Sequence, residues 1–236
     1  WGLVAFVLGG LVKGTLGVGL PLVVVPLMSL VVPSPTAIAL VSVPVVVSNA
    51  VQCWQATPAT RQAKRFAPLI FWLVLATVVT VPMTLALSAK ALNAMLAGAV
   101  LLAVVTMAWN PQLHIQPQYE RRVSAGVGLV SGLLGGVSSL TGPVIITYLM
   151  SLRLERDQFV GTISLVYLWA MLPLYVAMAV VGRLGVQELG LSVVACGPMF
   201  VGMWLGRHLR GHLSEALFRR LLLMFLSLLA CGLLLK

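Results

Sequence analysis

The chain has 236 residues, 60% of them hydrophobic and only 8% charged, with a mean hydropathy of +1.07 and a formal charge of +10. A soluble domain carries about 25% charged residues, so a water-soluble surface is excluded. The fifteen Lys and Arg stand almost wholly in short connections, which reads as topology signalling beside anionic lipid and excludes nucleic acid as a partner.

Long apolar runs then predict an all-α integral membrane protein. A spanning helix needs about 20 such residues, and only helices or closed barrels satisfy their own backbone in hydrocarbon. These runs lack the alternation of barrel strands. In chain order the predicted segments are 2–32, 36–57, 66–88, 90–109, 123–151, 158–182, 187–206 and 214–235. The first and fifth are interrupted. A glycine-rich centre, Gly14 to Gly19 in one and Gly132 to Gly142 in the other, separates two half-helices. Glycine weakens a helix interior, whereas proline is tolerated in a first turn, so Pro21 and Pro143 open the second half of each.

These two segments are also related in sequence. Residues 10–17, GLVKGTLG, match residues 128–135, GLVSGLLG, and Met28-Ser29-Leu30 matches Met150-Ser151-Leu152. The expected organisation is therefore two repeats, 1–110 and 123–236, joined by a cytoplasmic linker at 111–122, all within one membrane domain.

Charge decides how the interrupted segments lie. If all eight cross the bilayer, the loop cations divide seven against seven. If 123–151 is a re-entrant hairpin, Arg61, Lys64, Arg65, Arg121, Arg122, Arg153, Arg156, Arg207, Arg210, Arg219 and Arg220 share one face. Only Lys90, Arg183 and Lys236 remain opposite. Eleven against three obeys the positive-inside rule. The first interrupted segment is assigned as a hairpin by its similarity to the second. One hairpin plus three spans per repeat gives halves of inverted topology.

Lys13 is the only charged residue within an apolar segment, and it precedes a glycine break. A cation at membrane depth is costly unless it lines water or meets an anion; the plain alternative is a lysine snorkelling to the interface. The second break carries Ser138, Ser139 and Thr141 ahead of Gly142 and Pro143. Half-helices beginning there and at Leu20-Pro21 would turn unpaired N–H groups toward the centre, which suits an anion. The hydroxyls can equally cap their own broken helix. Together Lys13, Gly14, Gly17, Gly19, Pro21, Ser138, Ser139, Thr141, Gly142 and Pro143 form the expected substrate-binding core. Ser42, Asn49 and Gln52 in the second segment, and Ser164 and Tyr167 in its counterpart, complete it. Interhelical hydrogen bonding is the competing explanation for these five.

Other chemistry is missing. All five acids, Glu120, Glu155, Asp157, Glu188 and Glu215, lie in connections or at helix ends, so mid-span carboxylate relays and cation sites are lacking. No Ser-His-Asp, HExxH or CxxC pattern exists, and the Lys-Gly-Thr order at 13–15 breaks the P-loop pattern. His208 and His212 stand among arginines and read as a solvated helix end, not a metal site. Cys53, Cys196 and Cys231 read as inert buried thiols. Residues 1–12 do not resemble a signal peptide, and a start at Trp1 suggests numbering from within a longer product. No cofactor or metal is expected, and a homodimer is compatible with the pattern.

The pair GGLVKGTLGVGLPLVVVPL (9–27) and GLVSGLLGGVSSLTGPVIITYL (128–149), with Ala37-Ile38-Ala39 and Ser42, resembles the sulfite exporter TauE/SafE family over essentially the whole chain. The resemblance implies a multi-pass carrier of the bacterial inner membrane for sulfite, thiosulfate or organosulfonates, and no enzyme activity. A structural subunit that does not transport, or an anion channel, is the alternative. Without mid-span carboxylates, coupling reduces to uniport, anion exchange or a proton carried on the substrate. Replacing each of the five acids by its amide should accordingly leave transport per folded protein intact. Loss of flux in any single variant, measured in proteoliposomes, contradicts that expectation.

Overall fold

A computed structural model describes residues 1–55, 63–85, 87–109, 115–138, 141–152 and 154–209, together with 223–224, 227–228 and 230–232. The described residues form helices and no strands. In chain order these are α1 (Gly2–Leu16), α2 (Leu20–Ser29), α3 (Ser34–Leu40), α4 (Ser42–Gln55) and α5 (Ala67–Leu85). They continue as α6 (Ala89–Trp109), α7 (Pro117–Ser138), α8 (Gly142–Ser151), α9 (Arg156–Val180) and α10 (Val186–Leu209). Ser34–Gln55, Asp157–Val180 and Val186–Leu209 are long and apolar enough to cross a membrane, and several shorter apolar helices accompany them. The segment expected at 214–235 lies largely outside the described residues.

Both interruptions fall where glycine and proline place them, but they are narrower than expected. α1 runs through Gly14 and stops at Gly17, whose φ of 81° is left-handed and whose N–H bonds Lys13 O. α2 starts behind Gly19, at φ 100°, with Pro21 in its first turn. These are backbone angles that a side chain resists, so this break needs glycine at both positions. α7 continues past Gly132, Gly135 and Gly136 to Ser138, and α8 opens with Gly142-Pro143.

The second segment carries a bend that was not expected. α3 ends at Leu40 and α4 begins at Ser42. Pro44 has no N–H, so Leu40 O loses its partner four residues on. Ser192 of α10 fills the gap: its hydroxyl donates to Leu40 O at 2.8 Å and accepts from Val43 N–H at 3.0 Å. The matching position in α9 is Val166, and α9 runs unbroken.

Two glycine seams position these elements. In α1, a Cβ on Gly10 would stand 2.2 Å from Met199 O, and one on Gly14 would stand 2.3 Å from Met203 O. In return, Gly202 and Gly206 of α10 face Val7 O and Leu11 O. The register advances in the same sense on both helices, so α1 and α10 run parallel, backbone to backbone. α7 meets α5 in the same way, with Gly128 against Leu69 O and Gly132 against Leu73 O. Small residues allow this approach in a medium where apolar burial supplies no drive between helices.

Each half-helix pair also folds back. Gly9 faces Leu20 and Val24 across the α1–α2 turn, and Gly2 lies near Met28. At the other pair, Tyr148 of α8 sits edge-on to Phe66, ring centroids 6.4 Å apart. Beside Phe66, Arg65 makes a forked bond to Glu120 in the first turn of α7, at 2.5 and 2.9 Å. That hydrogen bond holds the Arg65 guanidinium above its ordinary range. Exposed Phe71, Trp72, Leu75, Val79, Leu172 and Val194 give α5, α9 and α10 apolar outer faces, as a lipid-facing surface requires.

The seams give a stability prediction. Gly10→Ala and Gly128→Ala each drive a methyl into a neighbouring backbone, and overpacking of this kind costs about 1–3 kcal/mol. Gly98, with nothing within 4 Å of its Cβ position, should accept alanine without loss. Thermal unfolding of the three variants in detergent should show a lowered midpoint for the first two alone.

Candidate functional site

Lys13 lies one turn before the α1 break, 1% exposed, among the largest fully buried side chains of the molecule. Its Nζ donates to Asn49 Oδ1 of α4 at 2.8 Å. Asn49 Nδ2 donates one of its two protons to Val45 O at 2.8 Å, which orients the amide with its carbonyl toward the lysine. An ammonium has three protons to give, and among the described residues Asn49 is its one acceptor. No carboxylate of the described residues pairs with it. A charge kept from water without a counter-charge costs several kcal/mol, so the arrangement favours an anion beside Lys13.

From Asn49 the polar line continues along α4 to α9. Gln52, three residues on and therefore on the same face, accepts at Oε1 from Ser164 Oγ at 3.1 Å. Both side chains are buried. One turn before Ser164, Val160 packs against the first break: a Cβ on Gly17 would meet Val160 Cγ2 at 2.7 Å. Gly17 is thus required for space as well as for φ. One turn after Ser164, Tyr167 is 5% exposed. Its hydroxyl lies 2.8 Å from where a Cβ on Gly142 would stand, at the opening of α8. Thr141 precedes it, buried, with its methyl packed on Gly135.

The α4–α9 pair therefore carries contacts to both breaks: Lys13 and Gly17 of the first, Gly142 of the second. Neither α2 nor α8 has a side-chain cap at its N-terminus. Their first-turn N–H groups are donors without a side-chain acceptor. Gly19 and Pro21 belong to the start of α2.

Other predicted site residues sit elsewhere or outside view. Gly14 lines the α1–α10 seam. Ser42 lies at the α3–α4 bend, 3.3 Å from Ser192 Oγ, and seven residues of helix, about 10 Å, separate it from Asn49. Ser138 ends α7 and Pro143 opens α8, but neither side chain is among those described. Ser139 lies outside the described residues. Thr15, two residues after Lys13, spends its hydroxyl on Leu11 O and Val12 O.

Three residues were missed from sequence. Val160 is apolar and gave no signal. Ser192 is a lone hydroxyl in an apolar span, a cue that polar residues in the other segments had already supplied. Ser131 occupies the position matching Lys13 in the GLVSGLLG motif. It is fully buried, and its hydroxyl has no hydrogen-bond partner.

The described residues hold no group of three or more metal-ligating side chains. Neither the curated proteins nor the solved structures include a match to this chain. The family model for the sulfite exporter TauE/SafE, in contrast, matches residues 2–233. That family is one of membrane transporters rather than enzymes. With its match running over nearly the whole length of an all-helical, lipid-facing fold, this chain belongs to the TauE/SafE sulfite exporter family.

Proposed function

We propose that this chain is a secondary carrier for a small sulfur oxyanion of the sulfite, thiosulfate and organosulfonate class, bound between the two helix breaks. The observation that carries the reading is Lys13: a buried cationic side chain at the first break with one neutral acceptor among the described residues, on a polar line that reaches the second break at Tyr167. Lys13 supplies the charge. The N–H groups of α2 and α8 and the Tyr167 hydroxyl supply oriented donors, and Asn49, Gln52 and Ser164 fix the helices that carry them. Alternating exposure of this site to the two membrane faces completes the cycle. A purely structural subunit would have no use for a desolvated lysine, so the carrier reading is preferred.

The same reading takes α1–α2 and α7–α8 as re-entrant hairpins of two inverted repeats, 1–110 and 123–236. Several contacts support it. Trp1 reaches Leu27 O at 3.5 Å, so α2 returns toward the start of α1. Glu120 and Tyr148, from the two arms of the second hairpin, both meet the Arg65-Phe66 turn. Arg207 at the end of α10 donates to Gln55 at the end of α4, at 3.0 Å. Because α1 runs parallel to α10, it starts at the end of the bundle opposite Arg207. The two hairpins would then enter from opposite faces. On the positive-inside rule the face with Arg65, Arg121, Arg122 and Arg207 is cytoplasmic, in a bacterial inner membrane.

Two experiments test this. Single cysteines placed beside Arg65, Arg121, Arg153 and Arg207 in a cysteine-free background should all resist labelling from outside the cell. Strong outside labelling near Arg153, with none near Arg65, would defeat the hairpin topology of 123–151.

For the site, truncating a desolvated charge partner typically costs about 2–5 kcal/mol. Lys13→Ala should therefore weaken sulfite binding at least about tenfold. Lys13→Arg keeps the charge with a different reach, so partial flux is expected, whereas Lys13→Glu should abolish binding. Equal activity of the glutamate variant, normalised to folded protein, would remove Lys13 from the site.

A further inference from the structure

The charge count at the two breaks goes beyond naming a class of anion. Each break joins the C-terminus of one half-helix to the N-terminus of the next, α1 to α2 across Gly17–Gly19 and α7 to α8 across 139–141. The partial negative and positive ends of the helix dipoles therefore meet at the same place and offset one another to first order. The N–H groups still donate hydrogen bonds there, but they add little net charge. What remains is one ammonium.

Among the described residues no other charged group is bonded to it. Ser131, standing where the repeated motif would place a second lysine, is neutral and buried. Asn49, Gln52, Ser164 and Tyr167 are neutral as well. Glu120 is spent on Arg65, and Glu188 accepts from Gly185 N at the start of α10. The faces packed around Lys13 offer no titratable group from α2. The α10 face packed on α1 brings Met199, Gly202, Met203 and Gly206, and Tyr167 of α9 is the titratable side chain in the polar line. Cys53 of α4 is only half-buried.

We infer that the site is selective for monoanions: it takes hydrogensulfite and sulfonates and rejects sulfite dianion, thiosulfate and sulfate. A monoanion against Lys13 forms a neutral pair, which is the form of a buried ion that can be desolvated together with its partner. A dianion of the same shape brings a second negative charge for which the site has no cation, and uncompensated charge at membrane depth is expelled. Contact with the anion also favours the charged form of the lysine. The inference rests on the carrier reading and narrows its substrate class, removing thiosulfate from it. It predicts that sulfite crosses with its proton attached, so each turnover moves a proton equivalent without any protein carboxylate.

The test is binding to the purified wild-type protein in lipid nanodiscs, by calorimetry, with methanesulfonate, sulfite, thiosulfate and sulfate. Methanesulfonate is a monoanion at every pH used. At pH 6, where sulfite is mostly hydrogensulfite, sulfite and methanesulfonate should bind while thiosulfate and sulfate bind at least about tenfold more weakly. Between pH 7.5 and 9 the affinity for total sulfite should fall by about tenfold per pH unit relative to methanesulfonate; taking the ratio removes any titration of Lys13 itself. Ser131→Lys, if folded, should narrow the gap between thiosulfate and methanesulfonate. Thiosulfate or sulfate binding as tightly as hydrogensulfite at pH 6, or a sulfite-to-methanesulfonate ratio constant with pH, overturns monoanion selectivity and leaves the carrier reading standing. Binding of none of the four overturns both.

Discussion

A lysine sealed from water next to a broken helix sets the terms for the rest of this molecule. Lys13 is buried, and its one hydrogen-bond partner among the described residues, Asn49, carries no charge. In a soluble protein such a residue would be a defect. On the carrier reading proposed above it is a counter-charge for an anion, because among the described residues no carboxylate competes for it. On that reading, the penalty for leaving the ammonium alone is what favours a singly charged ligand there.

Holding a charge at that depth requires a rigid frame, and glycine supplies it in two separate ways. Gly10, Gly14, Gly202 and Gly206 let α1 and α10 touch at the backbone, so Lys13 is carried on a helix that cannot shift sideways. Gly17 and Gly19 do the opposite: they end α1 and start α2 at left-handed angles, freeing the N–H groups of the second half-helix. The same residue type thus locks one face of α1 and opens its tip. Gly14 shows the division clearly. It adjoins Lys13 in sequence yet faces Met203 rather than the break.

This explains what could be read from the sequence and what could not. The membrane class, the helical segments and the two breaks follow from apolar run length, glycine clusters and Pro21 and Pro143, all of which are local signals. Lys13, Asn49, Gln52, Ser164 and Tyr167 were legible because polar groups in hydrocarbon need a reason to be there. The α3–α4 bend was not: Pro44 lies within an apolar run that could have tolerated a simple kink, and its meaning depends on Ser192, far along the chain. Ser42 was drawn toward the site by its match with Ser164, but tertiary packing gives it to the bend instead. The matching of positions predicts related backbones; it does not predict that both copies keep the same partner.

That last point governs function more than symmetry does. Where the motif repeats, the chemistry diverges: Lys13 against Ser131, Asn49 against Met171, the bent α3–α4 against the straight α9. Two identical half-sites would present either two cations or none. Two would hold a dianion too well to release it, and none would give a monoanion no reason to leave water. On the proposed reading a single lysine avoids both outcomes, because the neutral pair it would form could be uncovered toward either face at similar cost. On this argument the departures from repetition, concentrated on α1, α4 and α9, are where the substrate is chosen, while the seams and turns that do repeat hold the frame in which that choice is made.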